Sequence, residues 1–352
     1  VGMCERDDRG RLVLRRHADV VAVAHDPDTF SSRVSAYRQI PNGLDGPAHR
    51  DARHLLDPFF SPPRLERLRP GLEDLARSLV PAPGQVVDAV AELGARYSVR
   101  AASLWLGWPA GLEDELLDWV ADNRAATRSG DRARTAAVAA RFDEIVHALV
   151  VARCATGTDV TAELIQTRTA DGRPLHEEEV VSILRNWTGG DLSTLALCVG
   201  VVAHGLAVRP EVQRALADAP DEALAAAIDE LLRIDDPFIS SRRRATADTQ
   251  VGECPVATDE LVVLHWPSAN RDPRVFGDPD AFAPVHNAAA NLVYGAGAHV
   301  CPGRPLATLE LVVLVRALLR TGRLCLAPGA APERETPPAG GFRRVDVLLE
   351  SV

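Results

Sequence analysis

The sequence predicts a mainly α-helical protein with small β-sheets, on three observations. A helical pattern rich in apolar residues opens at His176-Glu-Glu-Glu and reaches Val208, roughly 50 Å at 1.5 Å per residue. Residues 63 to 175 read as several amphipathic helices, among them Leu112–Ala125 and Arg132–Arg153, separated by Gly, Pro and Asp breaks. Strand-like stretches are short, as at Arg11-Leu-Val-Leu near the start and Val345-Asp-Val-Leu-Leu near the end. At 352 residues the chain can bury a sizeable core, as one large domain or two medium ones.

Composition removes several function classes. The formal net charge is -10 and the chain contains no Lys, so the short run Arg242-Arg-Arg244 does not make a nucleic-acid-binding surface. The six cysteines (Cys4, Cys154, Cys198, Cys254, Cys301, Cys325) lie far apart with no C-x-x-C pair, which argues against a zinc site or an iron–sulfur cluster. No disulfide framework is expected in so large a chain without a secretory signal. The stretch after Gly189 comes closest to a membrane anchor, but Asp191 and His204 interrupt it. A soluble, cytoplasmic protein is the expectation.

The chemistry concentrates in Tyr294-Gly-Ala-Gly-Ala-His-Val-Cys301-Pro-Gly303. Gly295 and Gly297 permit positive φ and let the backbone pass close to something flat and bulky. A long apolar helix follows from Pro305, so Cys301 stands just before a helix N-terminus, whose dipole and free N–H groups stabilise a thiolate. A single thiolate in such a loop suits one axial bond to iron better than a zinc cage, which needs four ligands. These residues resemble the haem-ligand loop of cytochrome P450 enzymes, Phe-Gly-x-Gly-x-His-x-Cys-x-Gly, with Tyr294 in place of the Phe. A buried structural Cys would be the alternative for a lone cysteine.

The resemblance extends from about Arg11 to Leu348 and implies the cytochrome P450 fold, with haem b held between a long distal I helix and the proximal Cys loop. It implies a single haem domain over residues 1–352 whose N-terminal segment is short or missing. It makes Cys301 the metal ligand and places His299 of the same loop beside the cofactor.

Taken in order, Arg11 to His25 begins as a strand and changes to helical spacing, resembling the early strand and B helix of bacterial members. The connection from Ser32 to Pro47, with a turn signal at Pro41-Asn-Gly43, is shorter than in most relatives, so one pocket wall is expected to be reduced or open. His49 and Arg53, at i and i+4, share a helix face and can donate to one carboxylate. The resemblance makes that carboxylate a haem propionate; in isolation the pair would read as solvated.

Gly189 and Gly190 cost about 1 kcal/mol each relative to Ala inside a helix, so a close approach or local distortion is expected there. The site resembles the kinked part of the I helix, [Ala/Gly]-Gly-x-[Asp/Glu]-Thr. In that register Leu192 occupies the acid slot and Ser193 the alcohol slot. Asp191 falls one residue early, about 100° round the helix, and Thr194 one residue late. The expectation is a proton relay through Ser193, water and substrate, with Gly190, Asp191 and Thr194 as neighbours and Gly189 and Leu192 bordering the pocket.

Glu230-x-x-Arg233 closes the next helix with its two charges on one face. The resemblance makes it the buried pair of the proximal core. The family's third Arg is missing from the stretch around Phe282, and His286 is the nearest substitute. Asp236 to Thr246 resembles the strand that touches substrate, placing Phe238 and Ile239 at the pocket and Arg243 on a propionate. Arg242 and Arg244 then point to the other side. His265-Trp-Pro-Ser-Ala-Asn270-Arg271-Asp272-Pro273 matches the family's Ala-Asn-Arg-Asp-Pro segment.

The implied function is a haem-thiolate monooxygenase that oxidises a small organic substrate or natural-product intermediate with O2 and two electrons. Asn186-Trp-Thr, Pro41-Asn-Gly43 and Cys-Pro-Gly resemble a bacterial branch that includes reductase-fused enzymes. No reductase is read in these residues, so a separate ferredoxin and ferredoxin reductase are the expected donors. Three other readings stand beside it: a peroxide-driven peroxygenase, a biosynthetic enzyme catalysing coupling, cyclisation or nitrogen chemistry, and a non-catalytic haem sensor.

Overall fold

The computed structural model describes residues 4–35, 38–153 and 157–351. Ten main helices are numbered here α1 (His17–Ala24), α2 (Gly46–Leu56), α3 (Arg69–Leu79), α4 (Ala95–Leu106), α5 (Glu113–Ser129), α6 (Arg132–Arg153), α7 (Glu177–Asp191), α8 (Thr194–Ala207), α9 (Asp221–Ile234) and α10 (Arg304–Thr321). The strands are β1 (Leu12–Leu14), β2 (Phe30–Ser31), β3 (Val87–Asp88), β4 (Ser240–Ala245), β5 (Thr249–Val251), β6 (Cys254–Val256), β7 (Leu261–His265), β8 (Arg323–Leu326), β9 (Glu333–Arg334), β10 (Phe342–Arg344) and β11 (Asp346–Glu350). The mainly α architecture with small sheets is as the sequence predicts.

Two helices run through the interior. α8 buries Leu195 through Val202 and on to Leu206, and α10 buries Leu309 through Val315. A helix apolar on nearly all sides needs neighbours on all sides. α8 has them in α4, α9 and strands β8 and β10, and α10 packs on α3 and α9. The stretch Glu177–Ala207 is long and apolar enough to cross a membrane by composition, with a mean hydropathy of 1.5, but 71% of its apolar window is buried inside the protein. It is a core element.

Where the sequence reads as one long helix, the structure has two. α7 ends at Asp191, Leu192 and Ser193 form a turn, and α8 begins at Thr194. Beyond their own stretch of helix, no described atom lies within 4 Å of where a Cβ would stand on Gly189 or Gly190. The two glycines therefore border open space, and the distortion they permit appears directly after them.

The largest sheet has the order β1-β7-β4-β2, with β1 parallel to β7 and the other pairs antiparallel. Its register sets Arg243 opposite Val262. Together with α1 and the β5–β6 hairpin this sheet builds a small apolar cluster beside the main helical core, and Phe238 packs against both. A second sheet, β3-β11-β8, lies against the helices.

One expectation about the cysteines is corrected. Cys4 and Cys254 form a disulfide, with Cα atoms 5.4 Å apart across a separation of 250 residues. Only the fold brings the N-terminal segment over the β5–β6 hairpin, so the spacing in sequence could not show it. Cys198 and Cys325 are free thiols, and Cys154 lies outside the described residues.

Candidate active site

The glycine loop is built as its composition requires. Gly295 and Gly297 have φ of 76° and 70°. A Cβ on Gly297 would lie 2.1 Å from the Ala24 carbonyl oxygen at the end of α1, so only glycine fits. The Cys301 N–H donates to the Tyr294 carbonyl at 2.9 Å, closing the loop. This sets the Cys301 side chain, which is exposed, on the wall of a cavity of about 540 Å³, three residues before α10 begins.

At one edge of the cavity stand Arg243 and His299. Arg243 is buried, and its guanidinium donates to the carbonyl of Arg242 at 2.9 Å. It has no carboxylate in an ion pair among the described residues, and burial holds its pKa below the usual range. The His299 ring stacks on His49 with centroids 4.1 Å apart, and its Nε2 has no hydrogen-bond partner, Asp45 standing 3.6 Å away. Burial lowers the His299 pKa to about 4 and pushes that of His49 down as well, so both rings are neutral near pH 7. A buried unpaired cation is costly. The edge therefore fits a ligand that brings acid groups, while Cys301 offers a thiol to the same cavity. Both properties suit a haem with its propionates.

The other expected propionate contacts are placed differently. Neither His49 nor Arg53 lines the cavity. His49 backs His299, and Arg53 donates to the Val300 carbonyl at 2.9 Å, to Ala298 at 3.2 Å and to Asp57 at 2.6 Å. Arg53 thus ties α2 to the Cys loop.

On the opposite side, Gly190 and Thr194 line the cavity, joined by Leu195 and Cys198. Gly189, Leu192 and Ser193 do not, which corrects the expected register. Leu192 is fully buried, and its carbonyl accepts from Ser98 Oγ at 2.9 Å. Ser193 Oγ accepts from Asn123 Nδ2 at 3.3 Å, turned toward α5. Thr194 Oγ1 donates to the Gly189 carbonyl at 3.5 Å. The two-residue turn changes the helix register, so the alcohol that reaches the cavity is Thr194. Cys198, one turn on, shares its face; burial raises its pKa, so it stays a thiol. The side chain of Asp191 lies outside the described residues. Thr194 is among the residues expected at this site, whereas sequence spacing could find Cys198 only with the break already known.

The remaining wall is aromatic and amide. Phe60, Trp105 and Trp187 form a cluster with centroids 5.1 to 5.4 Å apart. Phe238 lines the cavity, but Ile239 does not; its carbonyl accepts from the Trp266 N–H at 3.0 Å. Gln39, Pro41 and Asn42 of the short connection also line it.

Beneath the loop, Glu230 and Arg233 pair at 2.8 Å, and both are almost wholly buried. Arg233 also donates to Asn270 O at 2.8 Å and lies over the Phe276 ring at 4.6 Å. The third partner is Asn287, whose Nδ2 donates to Glu230 Oε1 at 2.7 Å. His286 is exposed and takes no part, which corrects that expectation. An amide serves because Glu230 still needs a donor after Arg233 has paired with it. Asp236, not singled out from sequence, accepts from the Phe238 N–H and from Asn270 Nδ2, each at 2.8 Å, and burial raises its pKa to about 8.

Comparisons with known proteins agree with this geometry. A family model described as Cytochrome P450 matches residues 152–345. The erythromycin C-12 hydroxylase of Saccharopolyspora erythraea is 32% identical over 337 residues, covering 91% of this chain and 84% of that protein. The nocardicin C N-oxygenase of Nocardia uniformis is 30% identical over 345 residues, covering 92% and 85%. Among solved structures, a mutant of P450 EryK in complex with erythromycin B superposes with a TM-score of 0.90 at 29% identity, covering 99% of this chain and 93% of that one.

Proposed function

Because the chain belongs to the cytochrome P450 family of haem-iron monooxygenases, we propose that it oxygenates a natural-product intermediate with O2, taking two electrons from a ferredoxin and its reductase in the cytoplasm. The observation that carries this reading is the placing of Cys301, Gly190 and Thr194 on one cavity, whose edge holds a buried arginine with no carboxylate in an ion pair among the described residues. Two of the relatives are a hydroxylase and an N-oxygenase of named natural products, which supports the substrate class.

In this reading all 352 residues serve one haem domain, and haem b is the cofactor. Cys301 would ligate the iron, Arg243 and His299 would hold the propionates, His49 would back His299, and Arg53 would hold the loop. A haem bound there would supply the O2-activating chemistry, favoured by thiolate ligation.

The chain's own residues then bind, orient and move protons. Gly190, without a side chain, leaves room beside the distal helix. Thr194 Oγ1 would hold a water or proton at the cavity, and Asp191 next to the turn is the nearest acid in sequence. Phe60, Trp187 and Phe238 would hold the apolar body of the substrate, excluding water. Glu230 and Arg233 keep α9 rigid beneath the loop.

A second reading, peroxide as oxidant, is favoured by one observation: among the described residues no carboxylate lines the cavity. The test of the main reading is optical. The reduced carbon-monoxide complex should show a thiolate-type spectrum that Cys301→Ser abolishes; its persistence in the variant would remove the ligand assignment. Turnover with ferredoxin, reductase and NAD(P)H, against turnover with peroxide alone, separates the two oxidants.

A further inference from the structure

Strand β4 separates the largest sheet from the cavity, and its two edges differ. Along one edge it pairs with β7. The Trp266 N–H donates to the Ile239 carbonyl at 3.0 Å and the Ala245 N–H to the Glu260 carbonyl at 3.0 Å, with one register between them. In an antiparallel ladder the groups bonded to one neighbour recur at every second residue. Residues 239, 241, 243 and 245 therefore face β7, and the even-numbered residues turn their N–H and C=O groups to the other edge. The two ends of that edge are covered. Phe238 bridges to Ala339, Arg244 pairs with Ser31, and the Thr246 N–H donates to the Thr29 carbonyl at 2.9 Å.

Between these covers the edge is open. β2 ends at Ser31 and the chain then turns, the Val34 N–H donating to the Ser32 carbonyl at 2.9 Å, so no described strand continues opposite Arg242 and Ser240. Ser240, Ser241 and Arg242 line the cavity instead. The Arg242 carbonyl takes the Arg243 guanidinium at 2.9 Å. The Ser240 N–H and C=O and the Arg242 N–H are left without a partner among the described residues, about 7 Å apart along the strand. A strand edge with free backbone groups is a template for another strand. The rest of the wall adds neutral amides. The Gln39 side chain makes no hydrogen bond among the described residues, and Asn42, which donates to Asn186 at 3.0 Å, keeps its own side-chain oxygen free.

We propose that the open edge of β4 at Ser240 and Arg242 recognises a peptide-like substrate, whose amide backbone adds to the sheet as a short strand inside the cavity. The inference names the substrate class of the reading above and rests on it. One ligand residue opposite Ser240 exchanges an N–H and a C=O with it, and an amide carbonyl two residues away accepts from the Arg242 N–H. An extended ligand turns alternate side chains to opposite faces, so one set meets Phe238 and the aromatic wall. A hydrocarbon or ester chain of the same shape has no N–H for the Ser240 carbonyl, which it would desolvate without a partner. Pairing through the main chain sets the direction of the ligand and leaves its side chains to the pocket.

The test is titration calorimetry of the holoprotein with two probes, N-acetyl-L-phenylalanyl-glycine methylamide and its counterpart methylated on every amide nitrogen. The parent amide should bind about tenfold or more tighter, since methylation removes the donor and strands the Ser240 carbonyl. Ser240→Pro removes the outward N–H, which makes no ladder bond, so the strand edge tolerates it. It should weaken the parent amide by about tenfold and narrow the gap between the probes, whereas Ser240→Ala, which keeps the N–H, should stay within about twofold. Circular dichroism checks that the proline variant folds; if it does not, the two probes on wild type decide. Equal affinity for the two probes, or no binding of the parent amide, overturns the proposal. The calorimetry needs no iron. Amide preference in a protein without a thiolate-type carbon-monoxide spectrum would remove the haem reading and keep the edge; that spectrum without amide preference would remove the edge alone.

Discussion

Ser193 and Thr194 are neighbours in sequence but serve different surroundings: Ser193 Oγ meets Asn123 of α5 at 3.3 Å, whereas Thr194 lines the cavity. If the alcohol at the cavity handles the proton, Thr194→Ala should lower product formed per electron consumed by about tenfold or more. Ser193→Ala should change it much less. Product and peroxide, measured against NAD(P)H consumed, check both; equal losses would return Ser193 to the relay.

Arg243 predicts effects of opposite sign in the two forms of the protein. If Arg243 holds a propionate as proposed, Arg243→Leu removes charge-assisted bonds worth about 1.5–3 kcal/mol each, and haem transfer to apomyoglobin should quicken by about tenfold or more. The same change removes an unpaired buried cation from the haem-free protein, whose urea midpoint should rise. A fall in both would mean that Arg243 is chiefly a packing residue.

The Glu230–Arg233 pair is a stability element. Glu230→Ala strands a buried guanidinium and should cost about 3–5 kcal/mol. Asn287→Ala removes one of three donors to Glu230 Oε1, leaving Arg233 and the Ala283 N–H, and the loss of this bond to a charged group should cost about 1–3 kcal/mol. His286→Ala, at an exposed position, should stay within about 0.5 kcal/mol. Urea unfolding of the three variants ranks them.

Asp236 gives the protein a pH dependence with a definite sign. Burial pushes its carboxyl up to about 8 in the fold, against an ordinary carboxylate value of 3.8, so the folded state holds the extra proton between those values. The stability it contributes is fully present below the lower value and is lost as pH rises through the higher one, by at most about 1.4 kcal/mol per pH unit. Unfolding free energies from pH 5 to 8 should fall less steeply in Asp236→Asn than in wild type, whatever the offset between them.

The disulfide closes a loop of 250 residues, so its loss should be felt in the unfolded chain. Cys4→Ser, or reductant, should lower stability by about 2–5 kcal/mol. An unchanged melting temperature under reductant would show that the N-terminal segment is held by its ion pairs alone.

Much of the site was legible because it is local in sequence. The glycines at 295 and 297, the cysteine before a helix, and the i, i+3 pair at 230 and 233 each require only neighbours a few residues away. Phe238 and Arg243 followed from the resemblance of the stretch Asp236 to Thr246 to the family's substrate-side strand. What failed did so where one residue of register matters: Ser193 was read for Thr194, and Ile239 was placed at a cavity it does not reach. Asn287 in place of His286, and the Cys4–Cys254 bond, depend on segments far apart in the chain.

By itself, the sequence determined the secondary-structure class and the helices that flank residue 301, which arise from short-range periodicity and backbone preference, while the thiol at residue 301 and its neighbouring motifs carried the resemblance to the family. The tertiary structure decided which alcohol faces the cavity, which amide completes the buried pair, and that Arg243 stands there without an acid. Those outcomes depend on a two-residue turn between α7 and α8 and on contacts across tens of residues, and no local pattern in the chain encodes the packing that selects them.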